Sequence, residues 1–185
     1  GAEVRLIPAS VPPHRPQPVA SASQRMAMLR AALKGQDRLQ ADDRELRRSG
    51  PSFSVDTLQE FRSEYGPQRP LVLLLGVDAF AGLPAWHRWQ ALFELAHIGV
   101  LTRPGHNPVF TDALQREVQA RRIDSVESIA ATPAGHVIDI AVSALEISAT
   151  HIRSELAAGR EPRYLVADAL LNDAALLAPY RVGSM

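Results

Sequence analysis

The chain has 185 residues, 46% of them hydrophobic and 22% charged, which is enough apolar content for one well-buried core and little for two, so a single domain over 1–185 is expected. Twenty basic and twenty acidic side chains give a formal charge of zero, which excludes a global basic field of the kind that holds long nucleic acid or an anionic membrane. The absence of cysteine excludes disulfides, thiolate metal sites and cysteine nucleophiles.

From the N-terminus, residues 4–7 read as a short strand. The proline-rich stretch 8–18 that follows is a loop, because proline cannot occupy a helix interior. Ser23 is placed to cap a helix over 24–33, where Met26, Leu29 and Leu33 recur at helical spacing before the stop at Gly35. Residues 39–42 fit a second strand. Ser54 opens the clearest helix, in which Val55, Leu58, Phe61 and Tyr65 form an apolar stripe ending at Gly66 and Pro67. Residues 71–75 are apolar throughout, the pattern of a central parallel strand covered on both faces, and Gly76 ends it.

Residues 86–95 look helical, 97–101 form a further buried strand and 104–108 a loop. A polar helix over 112–122, a last strand over 137–140, a helix from Ser148 to Ala158 and a closing helix over 167–177 complete the order. Alternating strands and helices predict an α/β fold, with a mostly parallel sheet and helices on both faces. The run at 71–75 is far too short to cross a bilayer and no signal peptide opens the chain, which points to a cytoplasmic protein.

Ligands of open parallel sheets bind beyond the carboxyl ends of the strands, so the residues after each strand are the candidates. The first strand is followed by Pro12, Pro13, His14 and Arg15, a rigid turn whose imidazole and guanidinium could reach a phosphate or stay solvated. Gly76 permits close backbone approach, and the Asp78 carboxylate could accept from ribose hydroxyls or merely cap a helix. Trp86, beside His87, could stack on a heteroaromatic ring or fill the core. Ser148, Thr150 and Arg153 open a helix whose free amides attract an anion; Thr150 and Arg153 share a face, though an ordinary capped helix would look the same. His97, His106 and His136 show no ligand spacing, and no cluster supports a protein-built metal cage.

The order of segments is then informative: Pro-Pro-His-Arg at 12–15, Pro-Ser-Phe-Ser-Val-Asp-Thr-Leu at 51–58, Gly-Val-Asp-Ala-Phe at 76–80, Leu-Pro-Ala-Trp-His at 83–87, Arg-Pro-Gly at 103–105 and Ile-Ser-Ala-Thr-His-Ile-Arg at 147–153. Over nearly its whole length the chain resembles the bacterial nicotinate-nucleotide adenylyltransferase family. The resemblance implies a Rossmann-like nucleotidyltransferase fold and the reaction of ATP with nicotinate mononucleotide to give deamido-NAD and pyrophosphate, with Mg²⁺ carried by ATP. It implies that Gly76, Asp78, Ser148, Thr150 and Arg153 bind ATP, and that Ser54, Trp86, His87 and Arg103 bind the mononucleotide. His14, Arg15 and Arg153 would serve the transfer itself. Other readings are an adenylyltransferase for nicotinamide mononucleotide or another acceptor, and a nucleotide-binding fragment without catalysis.

The chain departs from the family at Phe53, Ser54 and His87, where Tyr, Thr and often Tyr are usual; Ser54 keeps the hydroxyl. The family also opens with a first strand and a Gly-Gly-Thr-Phe-Asp-Pro segment leading to His-x-Gly-His, which residues 1–185 do not contain. Loss of one preorganised donor to a developing charge costs on the order of a hundred- to a thousandfold in rate, so a chain lacking several is expected to be nearly inactive.

Overall fold

Every strand pairing in the computed structural model, which describes residues 2–11, 18–102, 108–143 and 147–181, is parallel. The elements run β1 (Val4–Leu6), α1 (Ala22–Ala32), β2 (Leu39–Ala41), α2 (Arg44–Arg47), α3 (Ser54–Tyr65), β3 (Val72–Gly76) and α4 (Val77–Ala81). They continue as α5 (Ala91–Leu95), β4 (His97–Thr102), α6 (Asp112–Arg121), α7 (Glu127–Ala131), β5 (Val137–Ala141), α8 (Ala149–Ala157), α9 (Asp168–Leu171) and α10 (Ala174–Leu177). Parallel neighbours need crossover connections, and the intervening helices supply them. The chain divides into two units, Gly1–Ser52 with Glu146–Met185, and Phe53–Leu145.

In the first unit β1 pairs with β2, Val4 opposite Leu39 and Leu6 opposite Ala41. Helix α1 starts earlier than the sequence suggested, because Ser21 and not Ser23 is its cap. The Ser21 hydroxyl accepts from the Gln24 amide at 3.2 Å, and the Gln24 side chain accepts from the Ser21 amide at 2.8 Å. This reciprocal arrangement needs a glutamine three residues after the cap, which Ser23 lacks. The closing helix expected over 167–177 is two helices. Asp173 sits between α9 and α10 in an extended conformation and accepts from the Ala175 amide at 3.1 Å, restarting the helix as a new cap.

In the second unit the described sheet runs β3-β4-β5, so β4 is its centre and β3 an edge. Residues 71–75 are therefore not a centre strand covered on both faces: Leu75 is buried, whereas Val72 and Leu74 remain 41% and 42% exposed. The other face bears Leu73, Leu75, Ile98, Val100 and Val137, which join Val55, Leu58, Phe80, Leu92, Phe93 and Leu114 in one core. Gly99 lies among the side chains on the Val72 face, where an added Cβ would come within 2.8 Å of Leu74 and 2.9 Å of Ile140.

The helix expected over 86–95 is confined to α5. Residues 83–85 form a 3₁₀ turn, Trp86 is extended, and Arg88 takes a left-handed φ of 50°, which an α-helix cannot continue through.

Two polar side chains, Arg62 partly buried and His97 wholly so, fix the amino end of this sheet. Arg62, near the end of α3, donates to the carbonyls of Leu95 at 2.8 Å, Arg69 at 2.6 Å and Pro133 at 2.6 Å. His97, wholly buried at the start of β4, lies 2.8 Å from the Thr132 carbonyl through Nε2 and accepts from the His136 amide through Nδ1 at 3.1 Å. A carbonyl can only accept and an amide can only donate, so the ring is the neutral tautomer with its proton on Nε2. Burial pushes its pKa down, assisted by the neighbouring His136 and Arg62 and opposed by the bond to Thr132.

Candidate active site

Gly76 closes β3 and leads directly into α4, with open space where a Cβ would stand. Asp78 falls in the first turn of α4 with its side chain exposed, at the carboxyl end of the strand where ligands of parallel sheets bind. It is not the helix cap, a position Gly76 holds. The Gly82 amide donates to the Asp78 carbonyl at 3.1 Å and the Trp86 amide to the Leu83 carbonyl at 2.9 Å, so Asp78 and Trp86 stand on consecutive turns.

Trp86 is half-buried and packs against the hydrophobic core, while His87 is exposed. The His87 ring lies 4.4 Å from the Phe53 ring at an interplanar angle of 32°. Phe53 is in turn the cap residue of α3, makes no side-chain capping bond, and precedes Ser54, the first helical residue. An aromatic edge and the amino end of a twelve-residue helix are thereby held side by side. A flat, negatively substituted ring suits such a place, since stacking and the helix dipole act on it together.

In the first unit Ser148 caps α8, its hydroxyl accepting from the His151 amide at 3.1 Å. Arg153 donates to the Thr150 hydroxyl at 3.4 Å, so the two side chains converge on the first turn as their spacing predicts. Ser148, Thr150 and Arg153 are all exposed. His14, Arg15 and Arg103 lie outside the described residues.

Some polar groups are not legible in the sequence. At the end of β2, Asp42 is buried and accepts from Arg44 through the backbone amide at 3.0 Å and the guanidinium at 2.7 Å, with Arg5 3.7 Å away. Burial alone would raise the Asp42 pKa, but the bonds from Arg44 outweigh it and hold the carboxyl below its usual value. Arg25, on α1, donates to the Ala9 carbonyl at 2.6 Å and the Ser10 carbonyl at 3.3 Å. The only sequence signal for either cluster is an arginine on a half-buried face. Among the described residues no group of three His, Cys, Asp or Glu could hold a metal ion, and no helix is long and apolar enough to cross a membrane.

The cytidylyltransferase-like family model matches residues 2–155. The chain is 44% identical over 169 residues to a probable nicotinate-nucleotide adenylyltransferase of Pseudomonas syringae pv. tomato, covering 91% of this chain and 76% of that one. It is 45% identical over 171 residues to one from Methylococcus capsulatus, covering 92% and 81%. Among solved structures it resembles Plasmodium falciparum nicotinic acid mononucleotide adenylyltransferase complexed with NaAD, at a TM-score of 0.61 and 16% identity over 92% of this chain and 80% of that one. That likeness establishes the α/β nucleotidyltransferase fold. Sequence identity of this extent, on that fold, places the chain in the nicotinate-nucleotide adenylyltransferase family.

Proposed function

We propose that the protein transfers the adenylyl group of ATP to nicotinate mononucleotide, forming deamido-NAD and pyrophosphate for NAD biosynthesis. A phosphate oxygen of the mononucleotide attacks the α-phosphorus of ATP, and the bond from that phosphorus to the pyrophosphate oxygen breaks. No covalent enzyme intermediate is needed, so the protein's work is alignment and neutralisation of charge.

The observation that carries the reading is the exposed first turn of α8 in a chain of this family. There a capping serine, a threonine hydroxyl and a guanidinium bonded to that hydroxyl present donors where a phosphate would meet them. In this reading Ser148, Thr150 and Arg153 hold ATP phosphates, Gly76 and Asp78 meet the ribose, and the substrate is ATP with Mg²⁺ carried on its phosphates. His14 and Arg15 meet a phosphate, and Arg153 also serves the transfer. Ser54, Trp86, His87 and Arg103 receive the mononucleotide. The positive end of α3 beside the Phe53 and His87 rings favours the carboxylate of nicotinate over a neutral amide. The reaction is placed in the cytoplasm, where ATP is available.

Pyrophosphate release from ATP, measured with nicotinate mononucleotide and separately with nicotinamide mononucleotide, tests this. Strong preference for nicotinate supports it. Equal or reversed preference overturns the base assignment, and ATP binding without release leaves a nucleotide-binding protein.

A further inference from the structure

Both tryptophans of the chain, Trp86 and Trp89, flank the exposed pair His87 and Arg88. Each packs half-buried against the core of the second unit, and Trp89 also meets Phe93 edge to face with ring centroids 6.1 Å apart. The turn between them is thus pinned at both ends by its largest side chains. Only His87 and Arg88 stand outside, and the His87 ring meets the Phe53 ring beside the amino end of α3.

The chain has little length in which to make this turn. Trp86 leaves the 3₁₀ turn in an extended conformation with ψ 148°, and the next hydrogen-bonded turn begins where the Arg88 carbonyl accepts from the Ala91 amide at 3.0 Å. His87 and Arg88 must change its direction, and Arg88 does so with a φ of 50°. That left-handed region is costly for a residue with a Cβ, and glycine or asparagine would enter it more readily. The Arg88 side chain is exposed, so no burial of the guanidinium enforces the conformation. Backbone of this kind persists where its surroundings over-determine it, and it clusters at ligand sites. Here the surroundings are the two anchored indoles.

We propose that Arg88 is a positioning residue for the base site: its left-handed backbone, held between two core-anchored tryptophans, turns His87 onto Phe53. The inference rests on the reading above, in which Trp86 and His87 receive nicotinate mononucleotide. Arg88 touches no substrate in this scheme. It acts through the His87 ring, and by its backbone conformation instead of its charge.

Calorimetric titration of a graded set of Arg88 variants tests it, with intrinsic fluorescence as a second readout because both emitting indoles border the turn. Arg88→Gly and Arg88→Asn, which accept a positive φ, should bind nicotinate mononucleotide within about twofold of the unaltered protein. Arg88→Val and Arg88→Ile, whose β-branching resists that φ, should bind it about fivefold or more weakly and shift the indole emission. Affinity for ATP should stay the same in every variant. Arg88→Ala removes the charge but takes this φ about as arginine does, and should lie between the two pairs. Where urea denaturation shows Arg88→Val and Arg88→Ile unfolded, tighter binding by Arg88→Asn than by Arg88→Ala is the required order, and the reverse order overturns the proposal. A loss in Arg88→Gly and Arg88→Asn as large as in Arg88→Val would assign the effect to the guanidinium and overturn it. Equal binding throughout the set, or parallel weakening of ATP, overturns it too. Absence of nicotinate mononucleotide binding to the unaltered protein is a separate failure, that of the base-site reading, and removes the inference with it.

Discussion

Phe53 and His87, thirty-four residues apart in the chain, stand with their ring centroids 4.4 Å apart, tilted by 32°. Aromatic pairs of this kind contribute about 0.5–1.5 kcal/mol beyond burial, which corresponds to roughly two- to tenfold in an equilibrium. Phe53→Ala is expected to raise KM for nicotinate mononucleotide within that range while leaving KM for ATP nearly unchanged. His87→Tyr, which keeps a ring, should be milder than His87→Ala. Steady-state kinetics with each substrate varied in turn decides it, and an equal rise in both KM values would remove the pair from the base site.

Arg153 and Thr150 are expected to act on ATP and not on the mononucleotide. Arg153→Ala should weaken ATP binding by about tenfold or more, the usual scale for loss of one charge-assisted bond. Arg153→Lys should recover only part, since an ammonium cannot present the planar fork that spans two oxygens. Calorimetric titration with ATP is the check.

His97 makes stability depend on pH in a defined direction. Its folded-state pKa lies below the ordinary 6.5, so the unfolded chain binds its proton first as pH falls. The stability contributed by the neutral ring is complete above 6.5 and is lost progressively as pH drops from there toward the folded value. Urea midpoints measured from about pH 7 to about pH 5 should fall more steeply for the unaltered protein than for His97→Gln, which cannot take up the proton. Parallel slopes would contradict the lowered pKa of the buried ring.

Arg62→Ala should be among the most damaging substitutions away from the substrate residues. It removes the side-chain donor of the Leu95 and Arg69 carbonyls and one of two donors to the Pro133 carbonyl, which keeps the Leu71 amide at 3.2 Å, a loss on the order of 3 kcal/mol. Arg62→Lys should not restore it, because one ammonium cannot reach carbonyls that the guanidinium meets from several nitrogens. Chemical denaturation gives the value.

Gly99→Ala is expected to cost about 1–3 kcal/mol, as overpacking does in a sheet centre. The closest atoms are the ends of the Leu74 and Ile140 side chains, and Leu74 is partly exposed and free to move, which favours the lower end. Gly99→Val should be far worse. The same denaturation series shows whether the order holds.

The sequence was most informative where a single local pattern decided the outcome. The stripe of Val55, Leu58 and Phe61 is the buried face of α3, and Ser148 caps α8 as its position suggested. Thr150 and Arg153 meet because three residues on a helix is one turn. Legibility failed where two local signals competed. Ser23 read as the cap of α1, yet Ser21 holds that position, because Gln24 stands three residues after it and closes the reciprocal bonds. The apolar residues from Trp86 to Leu95 have helical spacing, yet the left-handed Arg88 divides them. It failed altogether for bonds between distant segments: Arg25 with Ala9, Ser52 with Ser10, Arg62 with Pro133, His97 with Thr132. Each joins a polar side chain to a backbone group, and backbone groups leave no trace in residue identity.

The reach of Arg62 also sets a timetable for synthesis. Its partners at Gly66, Pro67 and Arg69 follow within seven residues, and the Leu95 carbonyl after 33, but Pro133 comes 71 residues later. At roughly 5–20 residues per second on the ribosome, that last carbonyl appears about 4–14 s after the arginine itself. Through that interval β3 and β4 can align while the loop that locks their amino end has not yet been made. The aliphatic strand Val72–Gly76 is thus made before the carbonyl that completes the Arg62 network, and slower translation through residues 72–133 is expected to lower the yield of folded protein.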